Sequence, residues 1–209
     1  MTKKILYSLI LSYVLFFTGC IVVKEKDEII HKETEVAYES SPKASVKMSA
    51  TYVVTPAGDM VATLPDGWFF IEPSGSLSSE IFAIAANPDY TMCAVFTHIK
   101  RTSELEQLVA QEGLIGLSRV CYAERNGKAT GTINFVDNYQ ILDMKPQKFG
   151  YFSYIRQEDN TLGCSATFAS NINEYYEYSL VTMGFTLNDV PERKEFDEIF
   201  MSILSTLKY

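Results

Sequence analysis

The chain is poor in the side chains on which most catalytic sites are built. It has two histidines among 209 residues. One of them, His31, lies in a run of lysines and glutamates, where a solvated side chain is expected. That leaves His98 as the single imidazole for a folded region. No G-x-S-x-G elbow occurs; the nearest echo, Gly116-Leu117-Ser118-Arg119-Val120, falls inside a predicted helix. No C-x-x-C or H-x-x-x-H pair brings two metal ligands together locally, and no glycine-rich loop joins a strand to a helix. The expectation is therefore no catalytic set, no metal and no cofactor. Basic residues are also scarce, with 18 Lys and Arg against 26 Asp and Glu, for a net charge of -8. Such a body repels nucleic acid, and the closest approach to a basic patch is Lys100-Arg101.

What the sequence does have begins at its first residues. Lys3 and Lys4 are followed by an apolar run from Ile5 to Phe17 and then by Thr18-Gly19-Cys20. A positive start, a short apolar core and small residues before a cut describe a signal peptide, and the run is too short to span a bilayer comfortably. The residues Phe17-Thr18-Gly19-Cys20 resemble the bacterial lipobox. That resemblance implies a leader over residues 1–19 and a diacylglycerol on the Cys20 sulfur. An ordinary secreted protein, or an uncleaved signal anchor, is the alternative reading. Lipidation would anchor the chain firmly, since each buried methylene is worth about 0.8 kcal/mol. Ile21 stands where an Asp would resemble the inner-membrane retention signal. The expected location is the bacterial envelope, in the outer membrane and facing the periplasm.

Residues 20–45 carry charged and small side chains with little to bury, which predicts a flexible tether holding the rest roughly 25 to 30 Å from the lipid. A single domain is expected over residues 46–209. Within it, short apolar runs predict strands near Ser49 to Val54, Met60 to Leu64, Trp68 to Ile71, Ile81 to Ala85 and Met92 to Ile99. Pro65-Asp66-Gly67 and Asn87-Pro88-Asp89 supply turns. A helix is predicted from Ser103, which forms an S-x-x-E capping box with Glu106, to about Tyr122 before Asn126-Gly127. Gly113 and Gly116 inside it predict a close approach or a break.

The second half predicts strands at Thr132 to Phe135, Tyr139 to Met144, Phe149 to Arg156, Leu162 to Ala169 and Tyr175 to Met183. Their short polar connections favour an antiparallel meander. A final helix, with Pro191 in its first turn, carries Phe196, Ile199, Phe200, Ile203, Leu204 and Leu207 on one stripe. The fold class is α+β, a central, mostly antiparallel sheet with helices packed on it.

With Leu64-Pro65-Asp66-Gly67-Trp68 opening the domain and the Phe196 to Leu207 helix closing it, the chain resembles the Mog1/PsbP-like superfamily, which includes small bacterial lipoproteins. The resemblance covers about Met60 to Tyr209 and implies an α/β/α sandwich. It also implies a binding or assembly role rather than catalysis, since members share no catalytic set.

Three functions remain open on the residues. The first is a noncatalytic envelope module for a protein partner. The second is a small-molecule or glycan binder, motivated by Tyr151, Tyr154, Tyr175, Tyr176 and Tyr178, which form either a recognition face or ordinary cross-strand packing. The third is an enzyme with a site around His98. Cys93, Cys121 and Cys164 are odd in number and lie in apolar surroundings, consistent with buried inert thiols or with one pairing.

Overall fold

The computed structural model describes residues 35–37, 43–72, 78–129, 131–183 and 192–209. Cys20, the leader, most of the tether and Pro191 lie outside the described residues. The strands are β1 (Glu35–Ala37), β2 (Met48–Val54), β3 (Val61–Pro65), β4 (Phe69–Phe70), β5 (Ile81–Ala86), β6 (Met92–Ile99), β7 (Ile133–Met144), β8 (Gln147–Arg156), β9 (Thr161–Ala169) and β10 (Tyr175–Thr182). The helices are α1 (Ser103–Lys128) and α2 (Arg193–Thr206).

Eight strands form one sheet in the order β1-β7-β8-β9-β10-β6-β5-β4, and β2 with β3 makes a separate hairpin. Every neighbouring pair in the large sheet is antiparallel except β1 with β7. The meander arises from tight polar turns, in which Asn160 and Asn173 take the left-handed backbone that asparagine tolerates.

Period-two alternation divides the strands between two faces. One face presents Phe96, Phe149, Phe168, Tyr178 and Leu180 to α2 and the hairpin. The five stripe residues within α2 and Leu207 at its C-cap are all buried there, and the Tyr178 and Phe200 rings stack at 5.1 Å. At about 1.5 to 3 kcal/mol for each large side chain, that stripe contributes on the order of 10 kcal/mol before entropy is subtracted. The opposite face presents Phe152, Tyr154 and Tyr175 to Leu105, Leu117 and Cys121 of α1. The result is the expected α+β sandwich.

α1 departs from its expected form in three ways. Its cap is Thr102 rather than Ser103, with Thr102 Oγ1 accepting from the Leu105 N–H at 3.2 Å. Glu106 pairs with Arg101 instead of reaching back to close a capping box. The helix also runs through Asn126-Gly127 to Lys128, because Arg125 is held by partners on the sheet and the last-turn cations Arg125 and Lys128 suit the helix dipole.

Gly113 breaks the helix with φ 61° and ψ -144°, a backbone that glycine alone adopts without strain. Beyond this kink the Leu114 carbonyl comes down onto Gly150 of β8, where a Cβ would sit 2.5 Å from its oxygen.

Two further expectations change. The predicted strands at Thr132 to Phe135 and Tyr139 to Met144 are one strand, β7, interrupted by register shifts around Asp137. Bulges allow a strand to carry such a polar interruption without ending. Glu35–Ala37, read from sequence as tether, pairs in parallel with Ile141–Asp143. A charged sequence does not prevent edge pairing, because the ladder is made by backbone groups.

Candidate functional site: an open cleft beside α1

α1 lies across β7, β8 and β9, leaving the same face of β10 and β6 beside it as the floor of a cleft of about 620 Å³. The cleft exists because the two faces of these strands differ in side-chain volume. On the α2 side they carry Phe96, Tyr178 and Leu180; on the cleft side they carry Val95 and Thr97 of β6 and Glu177, Ser179 and Val181 of β10. Glu177 pairs in register with Thr97, and Ser179 with Val95, so polar side chains of both strands lie beside apolar ones on the floor. The wall is the last third of α1, including Val120, Cys121 and Arg125.

Behind the floor lies a buried polar network. The Arg125 guanidinium donates from Nη2 to Glu177 Oε1 at 2.5 Å and from Nη1 to the Tyr154 hydroxyl at 2.8 Å. Ser165 Oγ donates to the same Glu177 oxygen. The Glu177 side chain is 9% exposed and that of Arg125 is 22% exposed. Burial opposes the Arg125 charge, but Glu177 and the Tyr154 phenol outweigh it and hold the guanidinium pKa above its ordinary value. Arg125 Nε is buried and has no hydrogen-bond partner among the described residues. The Tyr154 ring lies over Gly163, where a Cβ would come within 2.2 Å of it.

At the mouth, Lys128 pairs with Glu124 at 3.5 Å, and Arg156 is held by Asp159 and Thr161. Charges inside the cleft therefore balance nearly one for one. The Cys121 thiol in the wall is driven well above its ordinary pKa by burial and by the Glu177 charge, and so stays protonated. Burial also pushes Cys93 up to about 11 and Cys164 up to about 12. All three thiols are free and buried.

The structure does not unite the tyrosines into a recognition face. Tyr151 is 9% exposed, Tyr154 4%, Tyr175 8%, Tyr176 3% and Tyr178 0%. Alternation sends Tyr151, Tyr176 and Tyr178 to the α2 side and Tyr154 and Tyr175 to the α1 side. Three of the polar tips are used internally: Tyr176 donates to Asp59 and Tyr151 reaches Asp137, while Tyr154 accepts from Arg125. Cross-strand packing accounts for them, and only Tyr154 borders the cleft.

His98 Nε2 lies 2.8 Å from Glu174, and its ring packs 5.4 Å from Tyr176. Among the described residues, no group of three or more His, Cys, Asp and Glu side chains is placed to hold a metal ion. No helix among the described residues is long and apolar enough to cross a membrane.

Sequence reading missed Arg125, because it lies beyond the expected helix end, and Glu177, because three tyrosines surround it. The signal for Glu177 was available: a lone acid inside a buried strand requires a partner.

No family model and no curated protein matches the chain. Several solved structures are similar to it, among them the following two. A Bacteroides thetaiotaomicron protein aligns with 75% of the chain and 47% of its own length, at 14% identity and a TM-score of 0.38. Cyanobacterial PsbP (CyanoP) from Synechocystis sp. PCC 6803 aligns with 76% of the chain and 92% of its own length, at 14% identity and a TM-score of 0.55. The sheet order, the two packed helices and this alignment together give the chain a PsbP-like fold.

Proposed function

We propose that this chain is a noncatalytic binding or assembly module, held on a bacterial envelope membrane by lipid on Cys20 and acting through a protein partner. The observation that carries the reading is the PsbP-like fold, in which the one domain histidine is engaged with Glu174 and all three domain thiols are buried. A nucleophile and a base within reach of each other are the minimum for hydrolytic chemistry. His98, the residue type most often used as that base, bonds the Glu174 carboxylate rather than a hydroxyl or thiol. Ile21 after Cys20 favours the outer membrane, facing the periplasm.

Photo-crosslinking in intact cells tests this reading, with the reactive residue at exposed Tyr52 or Phe70. The expected result is one specific protein adduct that depends on Cys20. Repeated recovery of no adduct from either position overturns the protein-partner role.

A second reading, a small-molecule binder, is favoured by the cleft. Its volume of about 620 Å³ falls in the range of ligand sites, and it combines apolar walls with a few convergent polar groups.

A further inference from the structure

We infer that the cleft beside α1 takes a neutral, polyhydroxylated ligand, a saccharide unit, with its hydroxyls on Glu177, Thr97 and Ser179 and its apolar face on Val95 and Val181. The inference deepens the second reading above and rests on it.

Three observations select this ligand chemistry. First, the charge at the back of the cleft is already balanced. Arg125 and Glu177 neutralise each other at 2.5 Å with side-chain exposures of 22% and 9%. A ligand that brought a net charge against this pair would leave that charge desolvated and unmatched. A neutral ligand incurs no such cost.

Second, the floor offers hydroxyls and a carboxylate oxygen at matched positions. Glu177 Oε1 accepts from both Arg125 and Ser165, whereas Glu177 Oε2 and the hydroxyls of Thr97 and Ser179 make no hydrogen bond with the described residues. Glu177 and Thr97 stand directly opposite each other on neighbouring strands, and Ser179 lies two residues further along β10 on the same face. Side chains at such positions are about 5 to 7 Å apart. A ring carrying adjacent hydroxyls can donate to the carboxylate and exchange hydrogen bonds with both side-chain hydroxyls.

Third, the polar row is flanked by half-exposed Val95 and Val181, with Val120 on the wall. Apolar C–H surface next to a line of hydroxyls matches the two-sided character of a sugar ring.

The test is NMR titration of the full mature chain, following the backbone amides of Val95, Thr97, Ser179 and Val181. The probes are glucose and N-acetylglucosamine as neutral saccharides, and glucuronate and glucosamine as their charged counterparts. The inference expects saturable shifts at these four amides with the neutral probes, and at least fivefold weaker binding of the charged ones. Thr97 is half-exposed, so Thr97→Val keeps the fold while removing one hydroxyl, and it should weaken neutral binding about five- to tenfold. Thr97→Leu, which fills the floor, should abolish it. Shifts at these amides with the charged probes alone would overturn the saccharide assignment and leave the small-molecule reading standing. No shift at the cleft with any probe would overturn both.

Discussion

Arg125 and Glu177, 52 residues apart in sequence, meet as an ion pair beneath the last turns of α1, with Nη2 and Oε1 2.5 Å apart. The pair fastens the end of a kinked helix to the centre of a sheet. Removing one partner leaves the other charge buried, whereas removing both leaves none. Arg125→Leu should lower unfolding free energy by about 3 kcal/mol. Arg125→Leu with Glu177→Leu should recover most of that loss. Urea denaturation of the two single variants and the double variant checks this, and additive losses would contradict it.

Tyr178 is fully buried, and its hydroxyl has no hydrogen-bond partner among the described residues. Its ring is still well used, stacked between Phe96 at 5.1 Å and Phe200 at 5.1 Å. Tyr178→Phe keeps the stack and removes an unsatisfied polar group, so it should be neutral or stabilising by about 1 kcal/mol. Tyr178→Ala should cost about 3 to 5 kcal/mol through the cavity it leaves. Thermal unfolding of both variants separates ring packing from any role of the hydroxyl.

The Tyr154 ring crosses β9 at Gly163, leaving no room for a Cβ. Gly163→Ala should destabilise the chain by about 1 to 3 kcal/mol through overpacking. It should also perturb the Arg125 contact, because Tyr154 holds one of its guanidinium nitrogens. Combining it with Tyr154→Leu should relieve the clash, which denaturation midpoints will show.

The pH dependence follows from the thiols. Burial raises Cys93 to about 11 and Cys164 to about 12, above the ordinary thiol value near 8.5. The unfolded chain therefore releases these protons first. Stability that is complete below about pH 8.5 is lost progressively as pH rises toward 11 to 12. A thiol reagent at pH 8 should find Cys93, Cys121 and Cys164 unreactive until the chain unfolds.

The sheet and α2 were legible in the sequence because each declares itself locally. The strand at Met92–Ile99 needs only its short apolar run after the Asn87-Pro88-Asp89 turn, and the α2 stripe only its i, i+3, i+4 spacing. The end of α1 was obscured because Asn126-Gly127 is a local stop signal that the tertiary contacts of Arg125 override. β7 was divided in two because Asp137 and Asn138 interrupt its apolar run, and only pairing with β8 carries the strand through them as bulges.

The tyrosines were a matter of direction. Two of the five rings lie on β8 and three on β10, on either side of β9, and alternation about each strand decides which face receives them. The cleft was the hardest to see, because it depends on where a kinked helix stops covering the sheet.

The proposal that the chain works from a membrane surface rests on Cys20, and intact-mass analysis of its N-terminal peptide after extraction from cell membranes tests it directly. The expected peptide begins at Cys20 and carries diacylglycerol on its sulfur, and a Cys20→Ser chain is expected to be released from membranes or stalled unprocessed. An unmodified peptide beginning elsewhere, or a Cys20→Ser chain with unchanged mature size and membrane association, would contradict it.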